Sequence, residues 1–166
     1  MPHADFVHLH VHSEYSLLDG AAQLDRLVRK AAELKFPALA LTDHGNLFGA
    51  IDFYEAAQRA GIKPILGCEL YVAPGKRTER GSQDGGYEGA NHLTVLVRNP
   101  TGYRNLITLV SKAYLEGYYY FPSNSWGVPR AATSFPGPTT VEWTTGIRSC
   151  TLSPAGPRRS GSRTII

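Results

Sequence analysis

The sequence predicts an α/β fold whose strands are mostly parallel. Segments of strand length alternate along the chain with segments whose apolar residues recur at helical spacing. The resulting order, β-α-β-α-β-β-α, is typical of parallel strands joined by crossover helices. Side chains of the kinds that bind metals also follow directly after strands, at the edge where parallel strands share one mouth. Four strands fit an open sheet or an incomplete barrel, and periodicity does not choose between them.

The N-terminal elements have the clearest patterns. Residues 5–12 alternate in polarity and predict a first strand. Residues 23–35 place apolar side chains on one helical face, and Phe36-Pro37 ends that helix. The apolar run 38–42 is typical of a buried parallel strand.

Further elements follow from the same patterns. Gly61 marks the end of a second helix, and Pro100-Thr101 marks the beginning of a third. Five glycines after residue 74 predict a loop. The predicted elements are a helix over 48–60, a strand over 63–73, a loop over 74–91, a strand over 92–97 and a helix over 103–114.

Three histidines alternate within the first predicted strand: His8, His10 and His12. Alternate residues of a strand share one face, so the three imidazoles are expected to point the same way. A neutral imidazole offers a lone pair to a divalent metal. The triplet therefore predicts a metal site.

Other ligand types stand near the ends of predicted strands: Asp19, Asp43, His44, Glu69 and His92. Imidazoles with carboxylates suit Zn²⁺, Mn²⁺ or Fe, and such ions can activate water and clamp a phosphate ester. Each residue also has a structural alternative, since Asp43 could cap the following helix and Asp19 could be a turn residue. A carboxylate such as Glu69 in an apolar strand needs a partner. His92 begins its strand, which a parallel sheet does not explain.

Composition excludes several classes of protein. No apolar run is long enough for a membrane helix. Two cysteines do not make a disulfide framework, which is the pattern expected of a protein in the reducing cytoplasm. Residues 1–120 hold 12 Lys and Arg against 13 Asp and Glu, so the body lacks the basic stripe of an autonomous nucleic-acid binder. Residues 121–166 hold five Arg and one acid, with many Pro, Ser and Thr and no regular period. That irregular tail is either a disordered linker or a stretch out of frame with the domain.

Several motifs, in order, resemble the N-terminal polymerase-and-histidinol-phosphatase (PHP) domain of the bacterial DNA polymerase III alpha subunit family. The resemblance covers roughly residues 5–120. The motifs that carry it are His10-Val11-His12-Ser13, Ser16-Leu17-Leu18-Asp19-Gly20, Leu41-Thr42-Asp43-His44-Gly45, Gly61-Ile62-Lys63-Pro64-Ile65-Leu66-Gly67-Cys68-Glu69 and Asn91-His92-Leu93-Thr94.

The resemblance implies the N-terminal portion of a distorted (β/α)7 barrel over residues 1–120, followed by the tail. It implies six metal ligands, and His8 falls outside this set: His10, His12, Asp19, His44, Glu69 and His92. Asp43 and His44 are the implied catalytic residues, with Asp43 orienting the site. The family's later ligands, a Cys or His and an Asp-x-His pair, have no counterpart here, because no His follows His92 and Cys150 stands in a different sequence context.

The resemblance also implies a function for the parent protein. It would be a DNA-directed DNA polymerase with Mg²⁺ in a domain absent here, and its PHP site, with Zn²⁺ or Mn²⁺, would be of 3′–5′ exonuclease or phosphoesterase type. DNA and replisome subunits, among them a sliding clamp and a proofreading subunit, are the implied partners. Two alternatives remain open: a stand-alone phosphoesterase of the histidinol-phosphatase type, and a non-catalytic replisome scaffold. The 166 residues alone are expected to bind metal weakly and to be inactive.

Overall fold

The computed structural model describes residues 4–73, 78, 91–120, 127–131 and 163–164. Helices and strands alternate within these ranges, and the α/β class is confirmed. The elements are α1 (Leu24–Glu33), β1 (Ala38–Leu41), α2 (Ala50–Arg59), β2 (Lys63–Val72), β3 (Asn91–Leu96), α3 (Pro100–Gly117), β4 (Tyr118–Tyr120), β5 (Gly127–Ala131) and β6 (Arg163–Thr164).

β2 is the central strand. Its first half pairs in parallel with β1, and its second half pairs with β3 in the antiparallel direction. β5 adds a short parallel pairing to the end of β2, β4 pairs with β5, and β6 pairs with β3. The sheet is therefore mixed, and the expectation of mostly parallel strands is wrong for β3. Pairing among the described strands does not close a barrel.

The antiparallel direction of β3 explains the position of His92. Tyr71, near the carboxyl end of β2, is the register partner of His92 at the beginning of β3. Because an antiparallel strand begins where its neighbour ends, a residue that opens β3 reaches the same mouth as residues that close β1 and β2.

Residues 5–12 do not form the predicted strand, although they lie along β1. Ala40 N donates to His8 O at 3.0 Å, and Thr42 N donates to Val11 O at 2.8 Å. Val11 N, however, donates to the Thr42 side-chain hydroxyl at 2.9 Å instead of to a backbone carbonyl. A side chain thus replaces one bond of the ladder, and the segment is extended without being a regular strand.

Two apolar clusters hold the sheet and helices together. α1, β1 and α2 share the first cluster, centred on the fully buried Phe53 and Leu39. Cys68 and Leu70 of β2 pack with Leu106 and Val110 of α3 in the second. Since alternate residues of a strand face opposite sides, the packing of Cys68 and Leu70 against α3 turns Glu69 to the other face.

The tail differs from its prediction at two places. No regular element was expected after residue 120, yet β5 and β6 form short pairings there. Such pairing joins backbone groups and needs no side-chain periodicity, so a pattern search does not find it. The rest of the predicted tail, and the predicted loop over 74–91 apart from Thr78 and Asn91, lie outside the described residues. No helix within the described ranges is both long and apolar enough to cross a bilayer.

Candidate metal centre

Glu69 is the centre of a group of imidazoles. Its side chain is only 5% exposed. One carboxylate oxygen, Oε2, is within hydrogen-bond distance of His10 Nε2, and lies 2.8 Å from His12 Nε2. The other oxygen, Oε1, contacts His92 Nδ1 and lies 3.8 Å from His44 Nδ1. Four rings from three separate parts of the chain therefore converge on one carboxylate.

The N-terminal segment supplies His10 and His12 but not His8. The rings of His10 and His12 have centroids 4.9 Å apart, with their Nε2 atoms separated by 3.1 Å. His8 instead packs against Phe6 and Phe36, with ring centroids 4.7 and 5.2 Å away. Because the chain bends at His10, the strand alternation that predicted three rings on one face is interrupted. The triplet prediction is therefore wrong for His8.

His44 and Asp19 extend the cluster on the side of β1. The isolated bridge between His44 and Glu69 prolongs the β1–β2 pairing, which places His44 beside Glu69. Asp19 reaches the same ring from a tight turn, with its Oδ2 atom 2.9 Å from His44 Nε2. Ser16 O closes that turn by accepting from Asp19 N at 3.1 Å and from Gly20 N at 2.7 Å.

The surroundings of the His44 Nδ1 atom test whether the cluster fits a metal ion. Among the described residues it is the only buried side-chain nitrogen or oxygen without a hydrogen-bond partner. Burying a polar nitrogen without a hydrogen-bond partner costs free energy, so such an atom is explained by a bound ion or water. Burial, followed by the charge of His12, lowers the pKa of His44, which favours the neutral ring that a metal requires.

The other ionisable groups respond to one another. Burial opposes ionisation of Glu69, but hydrogen bonds with His12, His10 and His92 outweigh it and lower the pKa of Glu69. The same hydrogen bond with Glu69 is the largest cause that raises the pKa of His12, against the effect of burial. Glu69 is thus an anion that hydrogen bonds with the surrounding imidazoles stabilise.

Three overlapping sets of ligand atoms could hold a divalent metal ion. Within each set the atoms lie no more than 4.8 Å from one another, and His12, His44 and Glu69 each belong to two sets. Nitrogen from His with oxygen from carboxylate is a donor set that suits Zn²⁺ and Mn²⁺. The sets are His10 with His12 and Glu69, His12 with Asp19 and His44, and His44 with Glu69 and His92.

Asp43 lies behind the cluster and belongs to none of these sets. It is 2% exposed, and its carboxylate accepts hydrogen bonds from Ser13 N at 2.6 Å, Ser13 Oγ at 2.8 Å and Ser16 Oγ at 2.7 Å. The alternative that Asp43 caps the next helix is wrong, because α2 begins only at Ala50 and Gly49 occupies its N-cap.

Sequence reasoning missed three residues around the cluster. Ser13 and Ser16 bind the Asp43 carboxylate, and Tyr71 packs its ring against two of the histidines. The Tyr71 ring stacks on His44 at a centroid distance of 5.7 Å and meets His92 edge-on at 4.8 Å. The pairing of these serines with a distant carboxylate has no periodic signal in the sequence, whereas Tyr71 lies two residues from Glu69 on the same face of β2.

Comparisons with known proteins show which proteins this chain is similar to. The family model described as the PHP domain matches residues 8–133. The chain is 59% identical over 122 residues to the DNA polymerase III subunit alpha of Treponema pallidum, covering 74% of this chain and 10% of that protein. It is 53% identical over 117 residues to the Chlamydia muridarum subunit, covering 70% and 9%. It is 52% identical over 119 residues to the Thermus aquaticus subunit, covering 70% of this chain and 10% of that protein.

The chain spans about a tenth of the length of the curated relatives it matches. Among solved structures, an amidohydrolase from Chromobacterium violaceum aligns with 64% of this chain and 32% of its own, at 26% identity and a TM-score of 0.46.

Proposed function

This chain belongs to the PHP domain family, and we propose that it is the N-terminal portion of a replicative DNA polymerase alpha subunit with a metal site that hydrolyses phosphodiesters. Its relatives over this region are DNA polymerase III alpha subunits. The observation that carries the proposed chemistry is the convergence of His10, His12, His44 and His92 on Glu69.

The proposed ligands are the six residues of the cluster, and the proposed ions are Zn²⁺ or Mn²⁺. Four imidazoles favour these ions over Mg²⁺, which prefers an all-oxygen environment. The unpartnered Nδ1 of His44 supports this assignment, because a bound cation satisfies it. The ligand set is: His10, His12, Asp19, His44, Glu69 and His92.

Divalent cations bound there supply Lewis-acid polarisation of a phosphoryl group and acidify water. The protein's own residues do the rest. Glu69 holds His10 and His12 on one oxygen and His92 on the other, and so fixes the spacing of their nitrogens. Asp19, whose side chain is 55% exposed, stands at the solvent side and orients His44. Of the two predicted catalytic residues, we propose that His44 acts at the site and that Asp43 acts through its neighbours.

The test is a nuclease and metal assay on the full-length protein that contains this chain. Wild type and His12→Ala are compared for bound metal by mass spectrometry and for release of nucleotides from 3′-labelled single-stranded DNA. His8→Ala is the matched control, because His8 lies on the same segment but packs against Phe6 and Phe36. We expect His12→Ala to lose both metal and nuclease activity while His8→Ala retains both. A wild type without divalent metal, or a His12→Ala variant with full activity, would contradict the proposal.

We propose that a distorted (β/α)7 barrel forms only in the longer protein. The domain division is proposed to stay as the sequence predicts, with residues 1–120 in the PHP portion and residues 121–166 in a tail. No histidine follows His92, so later ligands of the family type are missing here. The 166-residue chain alone is therefore expected to bind metal more weakly than the full-length protein and to lack both activities.

The whole protein is proposed to act in the cytoplasm on primed DNA, with Mg²⁺ at a polymerase site outside this chain. Its proposed partners are DNA, a sliding clamp and a proofreading subunit. A primer-extension assay of the full-length protein measures this activity separately from the nuclease. Extension that persists in His12→Ala is the expected result, because the PHP cluster is not the proposed site of nucleotide addition.

A further inference from the structure

We infer that Ser13 and Ser16, through the buried carboxylate of Asp43, position three of the metal-cluster residues: His12, Asp19 and His44. The inference rests on the proposed metal-binding function and adds two residues to it. Both serine hydroxyls donate to the Asp43 carboxylate, which belongs to none of the ligand sets. Their role would therefore be to fix the backbone on which the ligands are carried.

Ser16 connects three parts of the site. Its hydroxyl donates to Asp43 Oδ1 at 2.7 Å and accepts from His44 N at 3.1 Å. Its backbone carbonyl accepts from Asp19 N at 3.1 Å. One residue, 2% exposed, is thus bonded to the backbones of both residues of the His44–Asp19 pair as well as to Asp43.

Ser13 fixes the other side of the same turn. It directly follows His12, and both its backbone N and its hydroxyl donate to Asp43, at 2.6 and 2.8 Å. The Ser13 hydroxyl also accepts from Tyr15 N at 3.2 Å. Two bonds to one carboxylate define the direction of the chain where it leaves His12, so rotation of this residue would displace the imidazole.

Asp43 in turn joins the turn to β2. Its backbone carbonyl accepts from Glu69 N at 3.0 Å and from Cys68 Sγ at 3.4 Å. Its side chain holds the serines, and its backbone holds the strand of the central carboxylate. Groups that orient metal ligands without touching the metal commonly affect metal affinity strongly.

The experiment measures Zn²⁺ and Mn²⁺ affinity of the 166-residue chain by competition with a chelator. Ser16→Ala removes the hydroxyl without adding volume. We expect it to weaken binding about 10- to 100-fold, as loss of a ligand-orienting group commonly does. The matched control is Val28→Ala, which creates a cavity in the first apolar cluster, away from the metal cluster. It is expected to leave metal affinity unchanged, and both variants are measured at a temperature where they are folded.

A double variant separates a positioning unit from independent structural effects. If Ser16 acts through Asp43, Asp43→Asn combined with Ser16→Ala weakens binding no more than Asp43→Asn does alone. Losses that multiply, or a Ser16→Ala variant whose affinity equals that of wild type, would overturn the inference while leaving the proposed metal function in place.

Hydrogen exchange in the metal-free chain tests the inference even if the wild-type chain binds no metal. Failure of the wild type to bind metal would count against the proposed function and not against the inference. Ser16→Ala is expected to speed exchange at the amides of residues 13–20 and His44, because these amides depend on the serine directly or through the turn. Val28→Ala is expected to leave them as in wild type. Unchanged exchange at these amides in Ser16→Ala would overturn the inference.

Discussion

Asp43, just after β1, and Glu69, within the neighbouring β2, are two buried carboxylates with opposite kinds of partner. Asp43 accepts from hydroxyl and amide groups that are neutral at every ordinary pH. Glu69 is surrounded by imidazoles, which are mutually repulsive when charged and which compete for the same two oxygens. The Asp43 environment is complete without a ligand, whereas the Glu69 environment leaves a buried nitrogen of His44 without a partner.

The difference indicates that the two carboxylates have different roles, although Glu69 N donates directly to Asp43 O. Neutral donors around Asp43 make it a structural anion that keeps its neighbours in place whether or not a metal is bound. Imidazoles around Glu69 make it an anion whose stability depends on protons or on a cation. Mutations at the two positions should therefore differ in how much stability the metal-free chain loses.

The largest expected effect is the loss of stability in Asp43→Asn. The amide presents an NH₂ group where the carboxylate accepted from serine donors, and hydrogen bonds to charged groups contribute about 1.5–3 kcal/mol each. We expect the free energy of unfolding of the metal-free chain to fall by about 3 kcal/mol or more on this basis. Urea denaturation followed by circular dichroism measures the change.

Glu69→Gln is the matched control for that variant, because it makes the same chemical change in the other carboxylate. Its loss in metal-free stability is expected to be smaller, about 1 kcal/mol, since a neutral imidazole can donate to the Gln carbonyl oxygen or accept from its NH₂ group. Equal losses in the two variants would remove the distinction between a structural and a metal-dependent carboxylate.

The second effect is the stabilisation of the folded chain by metal. A ligand that binds only the folded state at 100 times its Kd adds about 2.7 kcal/mol. We expect Zn²⁺ or Mn²⁺ at that excess to raise the Tm of wild type and to leave the Tm of Glu69→Gln unchanged. Differential scanning calorimetry with and without a chelator measures both, and a similar rise in both proteins would place the metal elsewhere.

Much of the Glu69 side could be predicted from the sequence. His10, His12, His44, Glu69 and His92 stand in motifs of fixed residue type, and the structure brings all of them together. The alternation argument included His8 wrongly, because it assumed a regular strand and the chain bends at His10. Chemical type thus predicted the members better than periodicity did.

The Asp43 side could not be predicted in the same way. Ser13 and Ser16 are about 30 residues from Asp43 along the chain, and serines at turns are too common to indicate a partner. The direction of β3 was likewise hidden, since side chains alternate between the two faces of a strand whichever way it pairs. Only the register of Tyr71 with His92 reveals why His92 reaches the mouth.

The third prediction tests how closely the backbone is packed in the turn over residues 13–20, whose serines bind Asp43. A Cβ atom on Gly20 would lie 1.8 Å from Ser13 O, so Gly20→Ala forces the backbone apart. Overpacking of this kind costs about 1–3 kcal/mol, and we expect a loss of stability in that range. Gly102→Ala is the control, because its nearest neighbour is Asn99 Oδ1 at 3.7 Å in the first turn of α3. There, alanine is expected to stabilise the helix by about 0.5–1 kcal/mol.

The smallest expected effect is at Thr42, which lies between the end of β1 and Asp43. Its hydroxyl accepts from Val11 N at 2.9 Å and donates to Val11 O at 3.2 Å, between the two histidines His10 and His12. Thr42→Val keeps the shape and removes these bonds, so stability should fall by about 1 kcal/mol.

Thr108→Val is the matched control, since the Thr108 hydroxyl donates to Arg104 O on the exposed face of α3 and its loss should change stability little. Equilibrium unfolding of both variants gives the difference. Metal affinity of Thr42→Val then decides how the N-terminal segment is held. If the serines and Asp43 fix His12, affinity falls much less than in Ser16→Ala. A loss as large as in Ser16→Ala would show instead that docking along β1, and not the Asp43 carboxylate, sets the position of the histidines.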